Sequence, residues 1–126
     1  MNKELTASLE DYLKQIYILK SEGANVRVTD VAEILGISKA SVNKAINNLK
    51  VKGYVNHEHY GTIEMTEKGE AAAEEILDNY KASYKFFLTV LGVSEEEAKE
   101  SAHQMEHMLN KVTRKKLKKL VKKQKK

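Results

Sequence analysis

Between Thr6 and Lys20 the apolar residues Leu9, Tyr12, Leu13, Ile16 and Tyr17 recur at i, i+3, i+4, i+7 and i+8, one face of an α-helix. Thr6 or Ser8 is placed to cap its start, and Ser21-Glu22-Gly23 ends it. After a few extended residues at Val26-Arg27-Val28, Thr29 is the expected cap of a short second helix carrying Val31, Ile34 and Leu35. Gly36 closes that helix, Ile37 follows, and Ser38 caps a third helix to about Lys52 that turns Val42, Ile46 and Leu49 inward. A short helix, a glycine turn, a polar cap and a longer helix make the sequence form of a helix-turn-helix. From Tyr54 to Met65 the pattern changes to alternation, with Gly61 at the natural turn, so a small β-hairpin is expected. Helix-turn-helix followed by hairpin is a winged helix.

The second half returns to helical spacing. Thr66 opens a long helix to Leu91, with the stripe Ile76, Leu77, Tyr80, Tyr84, Phe87, Leu88 and Leu91, and Gly92 ends it. Ser94 and Glu97 have capping-box spacing at the start of a fifth helix over about 95–110. The tail continues as a sixth helix whose apolar stripe, Val112, Leu117, Leu120 and Val121, is thin. The expected fold is mainly α: a winged helix over residues 1–65, then an all-helical dimerisation domain over 66–126.

Composition agrees with this and narrows the chemistry. Of 126 residues none is proline and only 6 are glycine, as long helices require. No cysteine is present, which removes disulfides, thiolate metal sites and cysteine nucleophiles. No apolar run reaches the ~18 residues of a membrane span, and the polar start lacks a signal-peptide core, so a cytoplasmic protein is expected. The formal charge is +4, but it is distributed very unevenly. Residues 1–65 are net zero, residues 66–110 are net −6, and residues 111–126 carry ten basic groups and no acid. Net charge therefore says nothing about DNA binding by the folded body.

On the third helix Ser38, Lys39, Ala40, Ser41, Asn43, Lys44 and Asn47 occupy N-terminal and outward positions. Small residues let the helix approach base edges, asparagine can pair with adenine and lysine with guanine. Polar outward residues alone describe any solvated helix face; the helix-turn-helix-hairpin order around them is what makes this a DNA-reading face. In the hairpin, His57 and His59 alternate onto one side, a place for solvent or a phosphate backbone rather than a metal.

The sharpest local cluster is His103-Gln104-Met105-Glu106-His107. Residues four apart share a helix face, so His103 and His107 converge with Glu106 beside them, a donor set for a divalent first-row metal. The string also matches the H-x-x-E-H pattern of inverzincin metallopeptidases. That chemistry needs a further acidic ligand downstream, whereas only nineteen residues follow His107 and none is acidic. An enzyme is not expected.

Five segments together resemble one family. Ser8-Leu9-Glu10-Asp11-Tyr12-Leu13 with Ile16-Tyr17, Val28 through Ser38, Gly53-Tyr54-Val55, Met65-Thr66-Glu67-Lys68-Gly69 and Met105-Glu106-His107 look like the diphtheria-toxin-repressor and manganese-transport-regulator family, in order from about Leu5 to Leu109. The likeness is to its short, two-domain branch, without the SH3-like third domain of longer members. It implies a homodimeric repressor of metal-homeostasis genes that binds a pseudo-palindromic operator in double-stranded DNA when a metal is bound. Carried over position by position, the primary metal ligands fall on Asp11, His103, Glu106 and His107. Histidine at 103 departs from the cysteine or glutamate usual there.

Other ligand positions have been lost. Lys14 stands where manganese regulators place a bridging glutamate, and Lys81, Lys85 and Lys99 stand at the ancillary ligands of the iron-responsive members. An ammonium group repels a cation and cannot ligate it, so one metal site is expected rather than two. The resemblance leaves two mechanisms. Either one divalent ion (Mn or Fe, with Zn or Co also suited to the donors) switches the regulator, or no metal is needed and lysines such as Lys14 or Lys81 pair with Glu106 or Asp11 in its place. The long stripe is expected to serve as core and dimer interface, and the basic tail as a solvated helix or a non-specific phosphate contact.

Overall fold

The computed structural model describes residues 4–57 and 61–124. The order is α1 (Ala7–Ser21), α2 (Val28–Leu35), α3 (Lys39–Val51), β1 (Val55–His57), β2 (Ile63–Met65), α4 (Glu67–Thr89), α5 (Glu95–Met105) and α6 (Lys111–Gln124). Two compact units are distinguished, Met1–Glu74 and Glu75–Lys126, the division falling within α4.

The first unit is built around the residues that the helical spacing points inward. Leu9, Tyr12, Leu13 and Ile16 of α1, Val31 and Ala32 of α2, and Val42, Ala45, Ile46 and Leu49 of α3 join Val26, Tyr54, Val55, Ile63 and Ala73 in one core. Of the two candidate caps of α1, Thr6 is the one used: its Oγ1 accepts from the Leu9 N–H at 3.2 Å. Ser38 caps α3 in the same way, through the Ser41 N–H at 3.1 Å. Gly36 ends α2 at φ +67, in the left-handed region that lets the chain reverse into α3.

Two details of α2 differ from the sequence expectation. Thr29 is not the cap, because the helix begins two residues earlier than that cap implies, at Val28; Arg27 is the capping position and its N–H donates to Asp30 Oδ2 at 2.9 Å. Ile34 is half exposed, and Ala32 takes the inward position beside Val31. With only eight residues, the helix buries a narrow stripe, with Leu35 of its last turn partly buried against the core and Glu33 and Ile34 outside.

The wing is the expected antiparallel hairpin, with Val55 opposite Met65, Asn56 opposite Glu64 and His57 opposite Ile63. Arg27 adds a bridge to Thr62. His59 lies outside the described residues. Thr66 then ties wing to helix: its hydroxyl donates to the carbonyls of Gly53 and Tyr54, and its Oγ1 accepts from the Gly69 N–H. The strand-to-helix junction is close enough that a Cβ on Gly69 would run into the Tyr54 carbonyl oxygen.

In the second unit the buried face of α4 is not the large-residue stripe. Ile76 is buried, but with it lie Asn79, Ala82 and Ser83, while Leu77, Tyr80, Tyr84, Phe87 and Leu88 are half-buried and Leu91 is exposed. Ala98 and Ala102 of α5 and Val121 of α6 are also buried. The interior of this unit mixes small side chains with the buried polar residues Asn79, Glu106 and Arg114, and leaves the aromatic stripe partly in solvent. The fifth helix is shorter than its expected 95–110: it ends at Met105, and Glu106, His107 and Met108 form a turn. Among the described residues no helix is long and apolar enough to cross a membrane.

Candidate metal centre and DNA-reading helix

All seven predicted DNA-reading residues, Ser38, Lys39, Ala40, Ser41, Asn43, Lys44 and Asn47, are exposed on α3 while its opposite face is buried in the core. The Ser38 hydroxyl is already committed, since it caps the helix and also donates to Ser41 Oγ at 3.0 Å. Lys39, Asn43, Lys44 and Asn47 are therefore the long polar groups that the helix offers outward. Nothing acidic stands on α3 to repel a phosphate backbone.

The metal-type cluster forms around a buried carboxylate. Glu106 is 1% exposed. Its Oε1 faces Nδ1 of His103 at 3.5 Å and its Oε2 faces Nε2 of His107 at 3.6 Å. The two imidazole rings meet edge to face with centroids 6.0 Å apart. His103 closes the last turn of α5, Glu106 is its C-cap residue, and His107 follows in the turn. Only His103 lies on the helix proper, but Glu106 keeps helical backbone angles at φ −57 and ψ −27, which sets its carboxylate between the two histidines.

Each imidazole nitrogen faces a different oxygen of the one carboxylate, at separations longer than a well-formed N–H···O hydrogen bond. Burying a carboxylate is costly unless a positive partner shares the site, which suits a carboxylate set between two potential nitrogen ligands.

Asp11 lies in α1 of the first unit, half-buried. The lysines at the departed positions are placed differently from one another. Lys14 is half-buried on α1, whereas Lys81, Lys85 and Lys99 are exposed. Lys81 and Lys85 line a groove with Asp78 of α4 and Lys118 and Lys122 of α6, an excess of ammonium groups over one carboxylate that disfavours a second cation.

Two polar residues of this region went unremarked in the sequence. Asn79, in the middle of α4, donates through Nδ2 to the backbone carbonyls of Glu106 and Leu109, each at 3.0 Å. Its Oδ1 accepts from Nη1 of Arg114 at 2.8 Å, and the same Nη1 reaches Glu75 Oε1 at 3.3 Å. The available signal was an asparagine about one turn after Ile76 on the inward face of α4.

Comparison with known proteins agrees with both halves of this description. The family model of the iron dependent repressor N-terminal DNA binding domain matches residues 4–63, and that of the iron dependent repressor metal binding and dimerisation domain matches residues 66–126. An HTH-type transcriptional regulator of Methanocaldococcus jannaschii is 36% identical over 120 residues, 94% of this chain and 96% of its own length. The HTH-type transcriptional regulator MntR of Lysinibacillus sphaericus is 32% identical over 116 residues, 92% of this chain and 83% of that one. The solved manganese regulator SloR superposes with a TM-score of 0.80 at 24% identity; the match covers 90% of this chain and 53% of SloR, so the chain spans about half of that structure. The chain belongs to the iron-dependent repressor family of transcriptional regulators, which are not enzymes, with a DNA-binding domain followed by a metal-binding and dimerisation domain.

Proposed function

We propose that the chain is a homodimeric repressor of metal-homeostasis genes, switched by one divalent ion held by Asp11, His103, Glu106 and His107. The observation that carries this is the buried Glu106 carboxylate with an imidazole nitrogen 3.5 Å from one oxygen and another 3.6 Å from the other. That trio lies in the segment matched by a metal binding and dimerisation domain. The ion supplies positive charge and directional coordination. Glu106 would neutralise that charge from the interior, with the exposed His103 on the solvent side and the mostly buried His107 beside the other oxygen.

Manganese or iron is the favoured ion, because the oxygen and imidazole donors lack a thiolate and the relatives include manganese regulators. Zinc and cobalt suit the same donors. Residues 1–65 serve as the DNA-binding domain, with Lys39, Ser41, Asn43, Lys44 and Asn47 of α3 in the major groove, Ala40 permitting close approach and Ser38 holding the helix start. Residues 66–126 carry dimerisation: the half-exposed stripe of Tyr80, Tyr84, Phe87 and Leu88 is covered by a second copy, giving two recognition helices for a pseudo-palindromic operator. The protein acts in the cytoplasm, alongside its DNA.

Gel-shift titration on the operator with chelator, and then with Mn, Fe, Co or Zn added singly, tests the switch. Specific binding is expected only with metal. Equal affinity in every lane would overturn the metal switch in favour of a regulator in which lysines replace the ion.

A further inference from the structure

We propose that Asn79 is a positioning residue for the metal ligands Glu106 and His107, and that Arg114 of α6 holds it in that task. The inference rests on the metal-site reading above and extends it to two residues that touch no metal.

The end of α5 poses a problem that the local sequence does not solve. The last carbonyls of a helix lack intrahelical partners. A glycine in the left-handed region would commonly close such an end, but Glu106-His107-Met108-Leu109-Asn110 contains none, and no non-glycine residue here has positive φ. Locally the turn has Glu106 N–H to Ala102 and Met108 N–H to Met105, both at 2.9 Å. The carbonyls of Glu106 and Leu109 take their donors from another helix: both go to the Asn79 amide. One side chain thus grips both ends of the four-residue segment that bears Glu106 and His107.

The orientation of that amide is determined. The two carbonyls require its nitrogen, and the Arg114 guanidinium requires its oxygen, so both donors and the acceptor are engaged at once. Asn79 is 4% exposed and Arg114 9%, so water competes weakly for these bonds. Glu75 shares the Arg114 Nη1 and balances its charge. Ligand side chains on an ungripped turn would sample several directions, and ordering them would fall to the metal, at the expense of affinity. Through Arg114 the basic tail helix is part of the metal site's support.

Asn79→Asp separates positioning from mere packing. It is nearly the same shape and strengthens the pair with Arg114, but an ionised carboxylate offers no donor to the two carbonyls. In the full chain, Asn79→Asp is expected to keep wild-type helicity by circular dichroism. It should weaken Mn(II) binding by about 10- to 100-fold. The visible absorption spectrum of the Co(II)-loaded protein should change in intensity, and amide exchange at residues 106–109 should accelerate without metal. If Asn79→Asp fails to fold, Arg114→Lys carries the same measurements, with a smaller loss in the same direction expected. Wild-type Mn(II) affinity and an unchanged Co(II) spectrum in a folded variant would overturn the inference while leaving the metal site intact. A wild-type protein that binds neither ion would overturn the metal-site reading and this inference with it. His107→Ala, which must lose metal whatever Asn79 does, tells the two apart.

Discussion

Nδ1 of His103 lies 3.5 Å from Oε1 of Glu106, one residue largely in solvent at 55% side-chain exposure and the other fully enclosed at 0%. The pair joins the outside of the protein to its interior. A cation held by these groups would have the imidazole on its solvent side and the carboxylate behind it, where low polarity strengthens charge interactions. His107, at 11%, completes the arrangement from the other oxygen.

Removing either kind of ligand should therefore weaken metal binding to different degrees. His107→Ala and Glu106→Gln are expected to lower Mn(II) affinity by more than the roughly 10–100-fold typical of supporting residues. His103→Ala should cost less, because an exposed site lets water fill the vacated position. Isothermal titration of the three variants checks the order; a larger loss for His103→Ala than for Glu106→Gln would contradict it.

For the reading helix, the exposed Lys44 and Asn47 lie three apart and so share a face of α3. Lys44→Ala and Asn47→Ala should each cost about 1–3 kcal/mol against operator DNA and much less against random sequence. Fluorescence anisotropy on both DNAs measures the ratio. An unchanged ratio would place sequence reading elsewhere.

At the wing-to-helix junction, Gly69→Ala sets two effects against each other. Alanine gains about 1 kcal/mol of helix propensity over glycine. Against that, its Cβ would collide with the Tyr54 carbonyl oxygen and crowd Met65. A backbone group held by the Thr66 hydroxyl yields poorly, and overpacking costs about 1–3 kcal/mol. Net destabilisation of the first unit is expected, seen as a lower urea midpoint. A raised midpoint would mean that the junction relaxes freely.

Two tyrosines should titrate late. Burial, then the charge of Glu4, raises the Tyr54 hydroxyl above its ordinary value. The hydrogen bond to Glu74 raises that of Tyr17, whose O–H donates to Oε2 at 2.8 Å. Both are acids with pKa raised in the folded state, so their contribution to stability is present below the unfolded value near pH 10 and disappears as pH rises through the folded ones. Alkaline titration followed by tyrosinate absorbance should show a late component that Tyr54→Phe and Tyr17→Phe each reduce. An unchanged profile in both variants would contradict this.

The amino-acid sequence by itself determined the winged helix. Leu13, Ile16, Val42, Ile46 and Leu49 recur at helical spacing, and Thr6, Gly36 and Ser38 mark the ends. These are local signals with one solution each, since periodicity and capping act within a few residues. Because the core of the first unit is formed from those faces, the outward face of α3 followed automatically. The sequence also placed His103, Glu106 and His107 together, because neighbours on one turn must meet.

What only the tertiary structure decided is how the second unit treats its polar groups. The large stripe of α4 is expected to serve as core and dimer interface; within one chain Asn79, Ala82 and Ser83 lie in the interior beside Ile76, and the aromatic residues are left half in solvent. Periodicity identifies an apolar face but not how much of it one chain covers. The end of α5 at Met105 was equally hidden, because nothing between Glu106 and Asn110 announces a stop. The turn is held by Asn79 from twenty-seven residues away and by Arg114 behind it. A hydrogen bond between distant residues leaves no spacing in a single sequence; it exists only once the helices are packed.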